Sequence, residues 1–133
     1  MANVLENDIT AHIGTQKYLC TIFWRNGQII TDEPEYLGGR DLGPDPYTLL
    51  LASLASCTLS TLRMYIDHKG WGIAEINISL NIEKTDEANT VISKAITFSP
   101  LIPEEQKTRL LEIAEKCPIS KLLKGNITIN TIL

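Results

Sequence analysis

Residues Pro46–Trp71 read PYTLLLASLASCTLSTLRMYIDHKGW, and the rest of the chain is arranged to serve this stretch. Asp45 is suited to cap a helix, and Pro46 suits the first helical position, where a backbone N–H would have no partner anyway. Sixteen residues without a charge follow, from Tyr47 to Leu62, and Gly70 supplies the stop. Such a helix is about 37 Å long. It is apolar nearly all round, the pattern of a helix buried on most sides. Ser53, Cys57, Ser60 and Met64 recur at i, i+4, i+7, i+11, which puts Cys57 mid-helix on a faintly polar stripe with thin walls.

Downstream, Ile76, Ile78, Leu80 and Ile82 alternate with Asn77, Ser79, Asn81 and Glu83, the signature of an antiparallel strand with one wet face. Thr85–Asn89 makes a turn and Val91–Phe98 returns, giving a hairpin about as long as the helix. Pro100 and Pro103 end it. A second helix starts with Glu104 and Glu105 in its first turn, where the helix dipole favours acids, and carries Leu110, Leu111, Ile113 and Ala114 on its apolar face. Cys117 stands directly before Pro118, which biases it out of helical conformation. A short helical turn, Ile119–Lys124, ends at Gly125, and alternation of Ile127 and Ile129 with Thr128 and Asn130 predicts a final strand.

Upstream, Ile9–Ile13 and Tyr18–Trp24 read as strands, and Asn26-Gly27 as a two-residue hairpin turn into Gln28–Thr31. His12 falls on the solvent side of this alternation. Cys20 shares parity with Tyr18, Ile22 and Trp24 and reads as a small core hydrophobe. Asp32–Asp45 is a loop by composition, with two Pro, three Gly and five acids. Its one cation, Arg40, is either a solvated charge beside Asp41 or an arm toward Cys57, whose thiolate a guanidinium would stabilise.

At 133 residues the chain is expected to form one α+β domain with a real core. A net charge of −4 with no basic patch argues against nucleic acid as the main partner. The hydroxyl-rich centre of the long helix, followed at once by Arg63 and Asp67, argues against a membrane span, and no export segment is visible. A soluble cytoplasmic protein is the expectation. Cys20, Cys57 and Cys117 form neither a CxxC pair nor a Cys/His cluster, which speaks against zinc and against a secreted disulfide framework. No metal or organic cofactor is expected. Cys57 and Cys117 are the two candidates for chemistry, either as inert packing or as a peroxidatic thiolate with its resolving thiol.

The stretch GPDPYTLLLASLASCTLSTLRMYIDHKGW, together with EEQKTRLLEIAEKCPISKLL, resembles the OsmC/Ohr family of osmotically inducible and organic-hydroperoxide-resistance proteins, in its OsmC-like branch. The likeness covers nearly the whole chain. It implies an intertwined homodimer with the Cys helices between large antiparallel sheets. It further implies thiol peroxidase chemistry on organic hydroperoxides: Cys57 attacks, Cys117 resolves as a disulfide, and an external dithiol reduces the pair. In Ohr-type members a Glu after the helix-opening Pro pairs with an Arg that steadies the thiolate. Here that residue is Tyr47, and Thr48 stands where OsmC-like relatives often carry the Glu. Lys17 and Arg40 are the candidates for the missing cation. Two other readings use the same residues: a non-catalytic dimer binding a small hydrophobic ligand, and a thiol–disulfide redox protein without peroxidase turnover.

Overall fold

The computed structural model of the chain describes residues 2–133. It divides into two compact units, one ending at Leu50 and one running from Leu51 to Leu133.

In the first unit, β1 (Thr10–Ile13), β2 (Cys20–Trp24) and β3 (Gly27–Thr31) form an antiparallel sheet in that order. The β2–β3 turn falls one residue earlier than the Asn26-Gly27 expectation, because Trp24 pairs directly with Gly27. A side chain at Gly27 would meet the Trp24 indole at 3.4 Å, so the glycine makes room for a ring across the ladder. Beyond β3, a 3₁₀ turn at Glu35–Leu37 interrupts the loop. Asp32, 2% exposed, organises this loop from its first residue. Its carboxylate accepts the backbone N–H groups of Glu33 (2.8 Å), Arg40 (3.2 Å) and Leu42 (3.3 Å). The loop is drawn so close that a Cβ on Gly39 would lie 1.9 Å from the Glu33 carbonyl oxygen.

Helix α1 spans Pro46–Lys69, the limits its caps predict. Asp45 accepts the Tyr47 N–H (3.1 Å) and the Thr48 hydroxyl, so Asp45 caps the helix while Thr48 donates to that cap instead of accepting the Asp45 N–H as an acid there would. At the other end Gly70 adopts φ +68, its N–H reaching the Asp67 carbonyl while Trp71 N–H reaches Ile66. That is a Schellman ending, which needs a residue at ease in left-handed conformation. Arg63 donates to the Ile73 carbonyl (2.7 Å) and ties down the turn beyond.

In the second unit α1 buries one stripe, Leu54, Thr58, Leu62 and Ile66. Leu62 and Ile66 enter a core with Ile73, Ile102, Leu110, Ile113 and Ala114. By length and composition α1 is the one helix among the described residues apolar enough to cross a bilayer. The expectation of burial on most sides is not met within this one chain: Ser53, Ser60 and Met64 are exposed, Met64 at 73%.

Strands β4 (Glu75–Lys84) and β5 (Thr90–Ser99) pair antiparallel along their full length, Ile78 opposite Ile96 and Leu80 opposite Lys94. Their half-buried face carries Ile76, Ile78, Leu80 and Ile82 from β4, and Ile92, Lys94, Ile96 and Phe98 from β5. Helix α2 (Glu104–Ala114) contributes Leu110, Ile113 and Ala114 to the core, and α3 (Pro118–Lys124) comes next. The final strand expected around Ile127 and Ile129 does not form. Those residues are unpaired and exposed, because a strand exists only where a neighbour accepts its ladder, and both β4 and β5 pair only with each other. The fold is thus α+β, with antiparallel sheets and three α-helices.

Candidate active site: a buried thiol pair

Cys57 lies at the middle of α1, half-buried, one residue before the buried stripe position Thr58. Cys117 lies in the break between α2 and α3 and is 0% exposed. Pro118 takes the first position of α3, and Cys117 itself is extended (φ −54, ψ 127), as a residue before proline should be. That bend turns its side chain back toward α1. The two thiols, far apart in sequence, come close enough to act on each other's ionisation, and all three cysteines are free.

The donors around the pair are unequal. At Cys57, burial pushes the thiol up from 9.0 and contact with Cys117 adds to that, while the Ile119 N–H and the Thr61 hydroxyl pull weakly the other way. At Cys117, burial again acts upward, but the Cys57 thiol, the Ser120 and Ile119 N–H groups and the Thr58 hydroxyl together outweigh it, and the group sits below 9.0. The donors thus favour charge on the Cys117 side, and ionisation of one thiol opposes that of the other. Charge on a buried sulfur is tolerated only where donors converge on it, and Cys117 has more of them.

Thr58 ties a further group to the site. Its hydroxyl donates to the Leu54 carbonyl (2.8 Å) and accepts from Lys94 Nζ (3.3 Å). Lys94 reaches inward from β5 and also lines a cavity of about 380 Å³ between β5 and α2, floored by Ile96, Phe98, Ile102 and Leu110. At the end of α2, Glu115 is held below its ordinary value chiefly by the Lys124 ammonium at 2.7 Å, with a smaller contribution from the charge of Lys94.

Of the residues singled out from sequence, Cys57 and Cys117 are brought together. Arg40 lies in the loop of the first unit, exposed, its backbone N–H on Asp32 and its charge helping to lower that carboxyl. Lys17 stacks on Tyr18 at 5.1 Å. Cys20, half-buried, lines a second cavity, of about 400 Å³, with Ile13, Tyr18 and Asp32. Thr58 and Lys94 escaped the reading of the sequence. The signal for Lys94 was present in its parity: it shares the phase of Ile92, Ile96 and Phe98, the apolar side of its strand. Among the described residues no cluster of His, Cys, Asp and Glu is disposed to hold a metal ion.

The sequence model of the OsmC-like protein family matches residues 38–132, which include both cysteines and everything around them. The chain belongs to the OsmC-like family. Solved structures agree on the fold of this OsmC-like protein. An osmotic-stress-induced and detoxification-response protein of Psychrobacter arcticus superposes with a TM-score of 0.73 at 23% identity, covering 92% of this chain and 90% of that one. An organic hydroperoxide resistance protein of Elizabethkingia anophelis gives 0.71 at 22% identity, covering 93% of each. The organic hydroperoxide resistance protein OhrB of Bacillus subtilis gives 0.67 at 22% identity, covering 93% and 94%. A search of curated proteins returned no match.

Proposed function

We propose that this OsmC-like protein is a cytoplasmic thiol-dependent peroxidase that reduces organic hydroperoxides with Cys57 and Cys117, acts as a homodimer, and is recharged by an external dithiol. The observation that carries the reading is the convergence of a half-buried Cys57 and a wholly buried Cys117, each acting on the ionisation of the other. Cys57 is the more reachable sulfur and so is assigned the attack. Its proton passes to the Cys117 thiolate as sulfur bonds to the terminal peroxide oxygen. The O–O bond breaks, leaving Cys57 sulfenic acid and an alkoxide that takes a proton from water. Cys117 then attacks the sulfenic sulfur, expelling hydroxide with the thiol proton as water, and a disulfide results. Two electrons from the external dithiol restore both thiols by exchange.

The cavity beside Lys94, apolar but for Thr97 and its two lysines, supports an organic rather than a small inorganic peroxide. A second copy is supported by what one chain leaves uncovered: the Ser53, Ser60, Met64 face of α1, and the unpaired segment after Gly125 with Ile129 84% and Ile132 91% exposed. One equivalent of cumene hydroperoxide added to reduced protein should give a Cys57–Cys117 disulfide by peptide mass mapping. An unmodified Cys57, in conditions where a free thiol control reacts, refutes the reading. The same cavity favours one rival, non-catalytic binding of a small apolar ligand; it predicts that Cys57→Ala keeps ligand-induced thermal stabilisation in full. Light scattering on the purified chain reads the dimer directly.

A further inference from the structure

Lysine is almost never found on the inner face of a sheet unless something there uses its charge. Lys94 is the one charged side chain on the half-buried face of the β4–β5 hairpin, flanked by Ile92 and Ile96. Among the described residues its ammonium makes no ion pair. Its hydrogen-bond partner is Thr58 Oγ1 at 3.3 Å, a wholly buried hydroxyl on the helix position next to Cys57 and within reach of Cys117, whose ionisation it favours. A threonine hydroxyl has one hydrogen and two lone pairs. With Cys117 as a thiol, the hydrogen serves the Leu54 carbonyl at 2.8 Å. With Cys117 as a thiolate, the hydrogen can turn to sulfur while Lys94 occupies a lone pair and makes the hydroxyl a stronger donor.

The geometry points to Lys94 as the cation of the thiol pair, a positioning residue that acts on Cys117 through the Thr58 hydroxyl. The inference rests on the Cys57–Cys117 reading and says which group replaces the arginine that the sequence lacks. The titratable group set against Cys117 is Cys57 from α1, while Glu115 at the end of α2, which feels the charge of Lys94, has its own charge taken up by Lys124 of α3. The surplus positive charge at the site is therefore that of Lys94.

The test reads thiolate directly, without peroxide: the pH dependence of thiolate ultraviolet absorbance in reduced protein carrying Cys20→Ser, a signal that needs no reagent to reach the wholly buried Cys117. Lys94→Met keeps the aliphatic stem and removes the charge. It is expected to move the first inflection upward and cut the thiolate fraction at pH 7 about tenfold, the equivalent of one pKa unit. Lys94→Arg should stay within about twofold of wild type, since its charge persists. Thr58→Val, of nearly the same shape, should reproduce the Lys94→Met shift, and the double variant should lose little more than either single, as for two groups on one path. An unchanged profile in Lys94→Met overturns the assignment, as does an additive double variant. Should Lys94→Met not fold, Thr58→Val against Thr58→Ser decides the matter, a shift in the first that the second restores being required. Because no hydroperoxide enters, a protein without peroxidase turnover still reports on Lys94.

Discussion

Asp32 and the Cys57–Cys117 pair are both buried acids, and they are built on opposite plans. The Asp32 donors are backbone N–H groups from Glu33, Arg40 and Leu42, all within ten residues in sequence. None of them can turn away. The thiol pair draws instead on α1, on β5 and on the start of α3, and two of its donors are hydroxyls whose single hydrogens already serve the carbonyls of Leu54 and Cys57. Ionisation of either sulfur bears on the other. An anion whose donors are local and fixed belongs to the architecture; two coupled thiols among movable donors leave a state that can change, which is what chemistry requires.

The sharpest break in that comparison is Cys57→Ala, expected to reduce hydroperoxide turnover to background in a coupled dithiol assay while leaving the acid stability of the Asp32 loop untouched. Cys117→Ala should instead leave Cys57 sulfenic acid unresolved, which dimedone labelling would reveal. Next comes Gly39→Ala. Its Cβ meets the Glu33 carbonyl, a backbone atom with no freedom to withdraw, so the loss should reach the upper end of overpacking costs, about 3 kcal/mol by urea unfolding. The thiolate absorbance profile should not move.

A smaller shift is expected on the chemical side. Cys57→Ala deletes one of the donors that hold Cys117 below 9.0, so the inflection for Cys117 ionisation, read by thiolate absorbance, should rise. An unchanged inflection would mean that the backbone N–H groups suffice and that the two thiols are not a unit. The smallest effect belongs to Asp32→Asn. Burial acts to raise the Asp32 carboxyl, but the three N–H donors and Arg40 bring it below 3.8. A carboxyl depressed in the folded state adds stability that is present above its unfolded value of 3.8 and is lost as pH falls through the folded value. Asp32→Asn should therefore flatten the pH dependence of stability below 3.8, leaving the part owed to Asp45 and Asp86, which are depressed as well.

How far the structure could be read in advance varies along the chain. Helix α1 ends where its caps say it must, since Asp45, Pro46 and Gly70 act on backbone groups a few residues away. The β4–β5 hairpin reflects a period of two that any neighbouring layer would impose. The Asn-Gly turn was misplaced by one residue because a cross-strand packing event, Trp24 on Gly27, outweighed a local turn preference. The strand expected near Ile127 was misread because alternation marks a segment able to pair, without saying that a partner strand stands beside it.

The residues by themselves pointed to an α+β chain with a capped central helix and two cysteines apart from the rest, and the stretches around those cysteines resemble the OsmC/Ohr family. Only the folded chain decided that those cysteines come together, that donors converge on Cys117 more than on Cys57, and that Lys94 reaches Thr58 beside them. Caps and periodicity are written within one or two turns of chain, whereas an acid's pKa is set by whichever groups the fold brings to it from elsewhere.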